Sequence, residues 1–225
     1  MKYQTSLLTG EPVTVDVPDG TLTRPVRTSV LIDSGVELEV NAGSPEAADF
    51  YLDSTQTRLS GAVQLTGGMS LRTGALGGDP KAGLAYWVTT SADEVLFGSA
   101  APSTTLEGLA RTLASARIGH GPRGVQLAPS GQAAWSPYRS HDLNQTVRLD
   151  ASDGYLLDVR RVGQRGAPSK VGVRVRGGRL TRSVPGSPSH VVLETPDFVV
   201  YGVPNGATSL DRLATSMSRA EVSRQ

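Results

Sequence analysis

Residues 93–113 read DEVLFGSAAPSTTLEGLARTL, and residues 197–217 read DFVVYGVPNGATSLDRLATSM. The two stretches align without a gap. Asp93, Val95, Gly98, Thr104, Leu106, Leu109 and Ala110 meet Asp197, Val199, Gly202, Thr208, Leu210, Leu213 and Ala214. Phe97 meets Tyr201, Glu107 meets Asp211 and Leu113 meets Met217. In each, an apolar strand gives way to a helical pattern. Leu106, Leu109, Ala110 and Leu113 fall at i, i+3, i+4 and i+7, one apolar stripe for covering a sheet, and Leu210, Leu213, Ala214 and Met217 repeat it. Thr104 followed by Glu107, and Thr208 followed by Asp211, predict the helix starts, because a hydroxyl with a carboxylate three residues on can satisfy the first free N–H groups. The expected helices lie near 104–116 and 208–221.

Further matches fall in the same order. AVQLTGGMSLRT (62–73) meets GVRVRGGRLTRS (172–183), with the Gly-Gly pairs in line. SVLIDSGVELEV (29–40) meets TVRLDASDGYLLDV (146–159), and VDVPDG (15–20) meets QLAPSG (126–131). The four matches predict a tandem duplication, with residues 1–119 and 120–225 as two β-rich repeats. Each repeat reads as a strand, three hairpins and one closing C-terminal helix, a module of about seven strands. Val36, Leu38 and Val40 alternate with Glu37 and Glu39 as in a half-buried strand. Asp33-Ser34-Gly35 is a turn, and Gly67-Gly68 and Gly177-Gly178 read as two-residue hairpin loops. Gly119 to Gly124 reads as the linker. Residues 42–60 are an insertion in the first repeat, expected as a loop with one helical turn after Ser44-Pro45-Glu46. Residues 132–144, which lack periodicity, are expected as a loop or arm.

Composition agrees with a mainly β chain of few helices, an α+β protein. Of 225 residues, 38% are hydrophobic and 19% charged, with 26 Gly and 14 Pro; that is turn-rich rather than helical-bundle chemistry. There is no cysteine, which excludes disulfides, thiolate catalysis and Cys-based zinc sites. The N-terminal MKYQTSLLTGEP lacks an apolar run after its lysine, so no signal peptide is expected. No segment approaches 18 consecutive apolar residues, so no membrane partner is expected. The expected location is the cytoplasm, or a particle assembled there.

Charge is unevenly placed. Residues 1–119 carry 8 basic and 13 acidic side chains, a net of −5, while residues 120–225 carry 14 and 8, a net of +6. The excess sits in Arg160, Arg161, Lys170, Arg174, Arg176, Arg179 and Arg182. Where the first repeat has Gln64, Thr66 and Met69, the second has Arg174, Arg176 and Arg179. Val173 and Val175 keep the apolar alternation of Val63 and Leu65 and are expected to point inward. The arginines are therefore not required by a hairpin as such. They suit a solvated face, an anionic ligand such as single-stranded nucleic acid, or an acidic protein surface. The first repeat offers such a surface through Glu37 and Glu39, together with Asp49, Asp53, Asp93 and Glu94.

Residues that look like chemistry fit it poorly. Gly119-His120-Gly121-Pro122-Arg123-Gly124 matches a dinucleotide fingerprint in letters, but follows a helix and contains a proline. His141-Asp142 lacks a nucleophile elbow. Asp16-Asp19 and Asp150-Asp153 fall where turns place aspartates. No catalytic, cofactor or metal residue is assigned, and no cofactor is expected.

A strand-rich module with one flanking helix, present twice, is similar to the modules of phage-type tail tubes and hubs. It also resembles duplicated sheet-plus-helix single-strand binders of the Whirly kind. The first resemblance implies a non-enzymatic structural subunit of a virion or injection-type particle, and the charge asymmetry between the two repeats predicts that the chain associates with itself head to tail. The second implies a nucleic-acid-binding protein using the basic hairpin. A hydrolase with an unrecognised pair of carboxylates is the third function that the sequence leaves open.

Overall fold

The computed structural model describes residues 1–65, 69–90, 93–139, 141–162, 171–184 and 187–224. The chain forms two compact units. Unit I comprises Met1–Leu7, Glu11–Pro25 and Asp142–Gln225; unit II comprises Leu8–Gly10 and Val26–His141. The fold is mainly β, with antiparallel sheets and three α-helices among the described residues.

The strands in chain order are β1 (Lys2–Ser6), β2 (Pro12–Asp16), β3 (Thr21–Leu22), β4 (Val26–Asp33) and β5 (Val36–Gly43). Helix α1 (Pro45–Ser54) precedes β6 (Ser60–Gln64), β7 (Ser70–Ala75), β8 (Leu84–Thr89) and β9 (Val95–Ala100). Helix α2 (Leu106–Ala114) is followed by β10 (Ala116–Gly121), β11 (Gly124–Pro129), β12 (Ala134–Trp135), β13 (Asp142–Arg148) and β14 (Asp153–Arg161). The chain ends with β15 (Val173–Val175), β16 (Gly178–Arg182), β17 (Val191–Glu194), β18 (Phe198–Gly206), α3 (Leu210–Arg219) and β19 (Glu221–Arg224).

In unit II the strands lie in the order β4-β5-β9-β8-β7-β6, with β12 added to β4, and β10 and β11 form a separate hairpin. In unit I the order is β13-β14-β18-β17-β16-β15, with β3 added to β13, and β1, β2 and β19 form a second sheet. Alternation drives these sheets. In β4, Arg27, Ser29, Leu31 and Asp33 point inward while their neighbours stay half exposed. The β4–β5 loop is Ser34-Gly35, with φ of 51° and 82°, the positive pair that a tight hairpin requires.

Each unit has its own core. Leu31, Leu38, Val40, Leu96, Leu109 and Leu113 pack in unit II. Tyr155, Leu157, Phe198, Val200, Leu213 and Met217 pack in unit I. Of the predicted stripes, Leu109, Leu113, Leu213, Ala214 and Met217 are buried, while Leu106 at the start of α2 is 40% exposed.

Several local expectations change. The helix caps are Thr105 and Ser209, one residue after Thr104 and Thr208; Thr105 accepts from Gly108 N at 3.1 Å and Ser209 from Arg212 N at 3.2 Å. Thr208 instead accepts from the Gly154 amide at 2.8 Å, so its hydroxyl serves the sheet. The helices are also shorter than expected, because Ala116 and Glu221 already begin strands. The hairpin in the basic stretch turns at Arg176-Gly177, since Val175 pairs with Gly178. Gly178 has φ of 155° and a Cβ on it would overlap the Glu194 carbonyl oxygen, while a Cβ on Gly177 would press on the Ala220 carbonyl. The Gly67-Gly68 loop lies outside the described residues.

Gly119 to Gly124 is not a linker. It is the tip of the β10–β11 hairpin, where Gly121 pairs with Gly124 across Pro122-Arg123. Residues 45–54 form a helix of three turns with Ser44 as cap and Pro45 in its first turn, longer than the single turn expected. Within 132–144 the described residues are mostly loop as expected, interrupted by the two-residue strand β12 and ended by the start of β13. The first half opens with a hairpin, β1–β2, rather than a single strand, whereas β11, the first full strand of the second half, pairs with β10, which ends the first.

Candidate functional site

The basic stretch and the N-terminal hairpin lie in the same unit and answer each other. Arg176, at the β15–β16 turn, reaches Asp16 at 2.8 Å and Glu221 at 3.3 Å. Arg161, at the end of β14, pairs with Glu11 at 3.1 Å, and Arg224 in β19 approaches the same carboxylate at 3.4 Å. Asp19 accepts from the Ser216 hydroxyl of α3 at 2.8 Å. The three carboxylates that β1–β3 and its turns contribute are therefore all engaged by the second half of the chain. The pairs are partly exposed, so each contributes about 0.2–1 kcal/mol. The burial of Val13 and Val15 among Leu213, Met217 and Val222 carries the docking, and the ion pairs fix its register.

The other basic residues divide. Arg160 binds Asp158 through Nε at 2.9 Å and Nη2 at 2.6 Å and lies 4.8 Å from the Tyr201 ring centroid. The Asp158 carboxylate holds the Arg160 guanidinium still more firmly protonated than usual. Arg182 pairs with Asp211. Arg179 donates to the Gly172 carbonyl at 3.3 Å. Arg174 is exposed and forms no ion pair among the described residues. Lys170 lies outside them. Val173 is not buried as expected: it is 70% exposed, on β15, the last strand of its sheet among the described residues. In unit II, Glu37 is exposed on β5, and Glu39 beside it accepts from Asn41 Nδ2 at 2.9 Å.

Unit II holds a group centred on Arg27, which the sequence did not single out, and on Glu94, expected on the acidic surface but held in a largely buried ion pair. Arg27 in β4 is fully buried and pairs with Glu94. Arg27 Nη1 donates to the Val125 carbonyl at 2.6 Å, and Val125 N donates to Glu94 Oε2 at 2.6 Å. The pair thus grips both backbone groups of one residue of β11. A buried ion pair is tolerated when further hydrogen bonds satisfy it, and these do. The parity of β4 carried the signal, since Arg27 shares the inward phase of Ser29 and Leu31.

The other polar constellations serve the fold. Ser29 Oγ lies 2.6 Å from His141 Nδ1, with Trp135 edge-on at 5.2 Å between ring centroids. Ser29 is 2% exposed, so its hydroxyl is closed to a substrate. Asp150 accepts from Ser152 N at 3.0 Å and Asp153 N at 2.9 Å, and Arg212 fills the position between Asp150 and Asp153 that a cation would take. Those contacts, Arg212 foremost, lower the Asp150 carboxyl below its usual range. No group of three or more metal-ligating side chains occurs among the described residues. No helix among them is long and apolar enough to cross a membrane.

Comparison of the chain with protein-family models, with curated proteins and with solved structures finds no match.

Proposed function

We propose that this chain is a non-enzymatic structural subunit of a β-rich homo-oligomeric assembly, of the tail-tube or hub kind, built on a tandem repeat. The observation that carries the reading is the exchange of opening segments. Residues 1–7 and 11–25, which open the first repeat, belong to the unit formed by 142–225. Residues 120–141, which open the second, belong to the unit that contains 26–119. The order β4-β5-β9-β8-β7-β6 in one unit and β13-β14-β18-β17-β16-β15 in the other supports the duplication. Exchange of an equivalent element between like modules is a route by which subunits join. Here it joins two modules of one chain, in the manner of a fused dimer.

In this reading chains associate head to tail, the acidic first repeat of one meeting the basic second repeat of the next, because like-on-like contacts are repelled. The location proposed is the cytoplasm or a particle made there. Light scattering across a concentration series tests it, with and without a single-stranded oligonucleotide. Mass should rise with concentration and fall as added salt screens the contact over about 8 Å. A monomer under every condition would overturn the assembly. Tight binding of the oligonucleotide to that monomer, weakening steeply with salt, would instead make the protein a nucleic-acid binder.

A further inference from the structure

The two units treat one sheet face differently. In unit II the outer face of β5, β9 and β8 lies under α1. Ala48 of α1 packs on Val95 and Phe97, each 2% exposed, and Tyr51 meets Phe97 at 5.5 Å between ring centroids. In unit I the strands β14, β18 and β17 pair in the same order. The residues at the positions matching Val95, Phe97 and Ser99 are Val199, Tyr201 and Val203. No helix covers them among the described residues. Leu156 and Val203 stand directly opposite one another across β14 and β18, each 41% exposed. At the same time α1 turns an aromatic ring outward: Phe50 is 75% exposed, between Asp49 and the next turn's Asp53.

We infer that the outer face of β14 and β18 is the docking surface for α1 of a second copy of this chain, with the Phe50 ring seated against Leu156 and Val203. Helix α1 then lies between its own sheet and that of the neighbour. Burying a helix between two sheets is a stable layering, and it removes the exposed ring and the exposed cross-strand pair together. Charge favours the same partner. The outward side of α1 carries Glu46, Asp49 and Asp53. The face it meets carries Arg148, Arg160, Arg174 and Arg179 against Asp142, Asp158 and Glu194. Of those acids Asp158 already accepts from Arg160, and Glu194 stands opposite Arg179.

This inference rests on the self-association proposed above and names its interface. The chain has no cysteine, so single cysteines report contacts without background. Phe50→Cys and Val203→Cys are made in separate full-length chains, mixed at a concentration where light scattering sees association, and oxidised. A disulfide-linked dimer is expected in the mixture and not from either variant alone. A companion variant, Val203→Arg, replaces an exposed side chain. It should keep the wild-type circular dichroism and raise the midpoint concentration of association at least tenfold. Association with no cross-link in the mixture, or an unchanged midpoint for Val203→Arg, overturns this interface while leaving the assembly standing. A wild-type chain that stays monomeric removes the assembly and the interface with it.

Discussion

Arg27 shows how one residue can bind distant parts of the sequence. Its guanidinium pairs with Glu94 and donates to the Val125 carbonyl, joining β4 to the chain before β9 and to β11. Arg27→Met should lower unfolding free energy by about 3–5 kcal/mol, because it leaves the Glu94 carboxylate without its counter-charge in a desolvated site. Combined with Glu94→Gln it should cost less than alone, and urea denaturation of the three variants measures the difference. Two tyrosines set an alkaline limit. Burial raises the phenol pKa of Tyr86 and Tyr155, whose hydroxyls meet the Glu39 carbonyl and the Ser216 hydroxyl. The folded chain keeps two protons that the unfolded chain releases above about pH 10. That stability is intact below the unfolded pKa and falls as pH rises past it toward the folded value. Titration followed by tyrosinate absorbance should show Tyr86 and Tyr155 ionising only as the chain unfolds.

At the scale of elements, the closing helices are held by one stripe and one cap each. Leu109 and Leu213 are fully buried, and truncating either to Ala should cost about 2–5 kcal/mol, read from the shift in denaturation midpoint. Thr105→Ala should cost about 0.5–2 kcal/mol through the lost bond to Gly108 N. Thr104→Ala should leave helix α2 with its cap intact and cost less. The basic hairpin is bounded by backbone contact rather than by its charges. Gly178→Ala should destabilise unit I because its Cβ meets the Glu194 carbonyl, whereas the charge change Arg174→Gln should leave the denaturation midpoint within experimental error.

For the whole molecule, the N-terminal hairpin belongs with the far end of the chain. β2 pairs with β19, and Val13 and Val15 share a core with Leu213 and Met217. Replacing both Val13 and Val15 with Ala should therefore cost stability unevenly. Amide exchange should quicken in β19 and α3 while β5 and β9 keep their protection. Equal loss in both units would mean that β2 does not serve the unit I core alone.

The sequence by itself determined the class of fold, mainly β with few helices, and the buried positions Leu109, Leu113, Leu213 and Met217 of α2 and α3. Each depends on local periodicity, and periodicity is written in neighbouring residues. It placed the caps one residue early, since a hydroxyl's partner is chosen by the surrounding backbone. It took Gly119–Gly124 for a linker because a tight hairpin and a flexible joint use the same residues. The basic stretch was legible as an anomaly, but four of its members meet carboxylates of the chain itself, at Glu11, Asp16, Asp158 and Asp211. Only the tertiary structure decided that, and with it which opening hairpin enters which core. Two hairpins of like pattern fit either sheet by their own alternation. The choice falls to long-range ion pairs and shape, which no local stretch encodes.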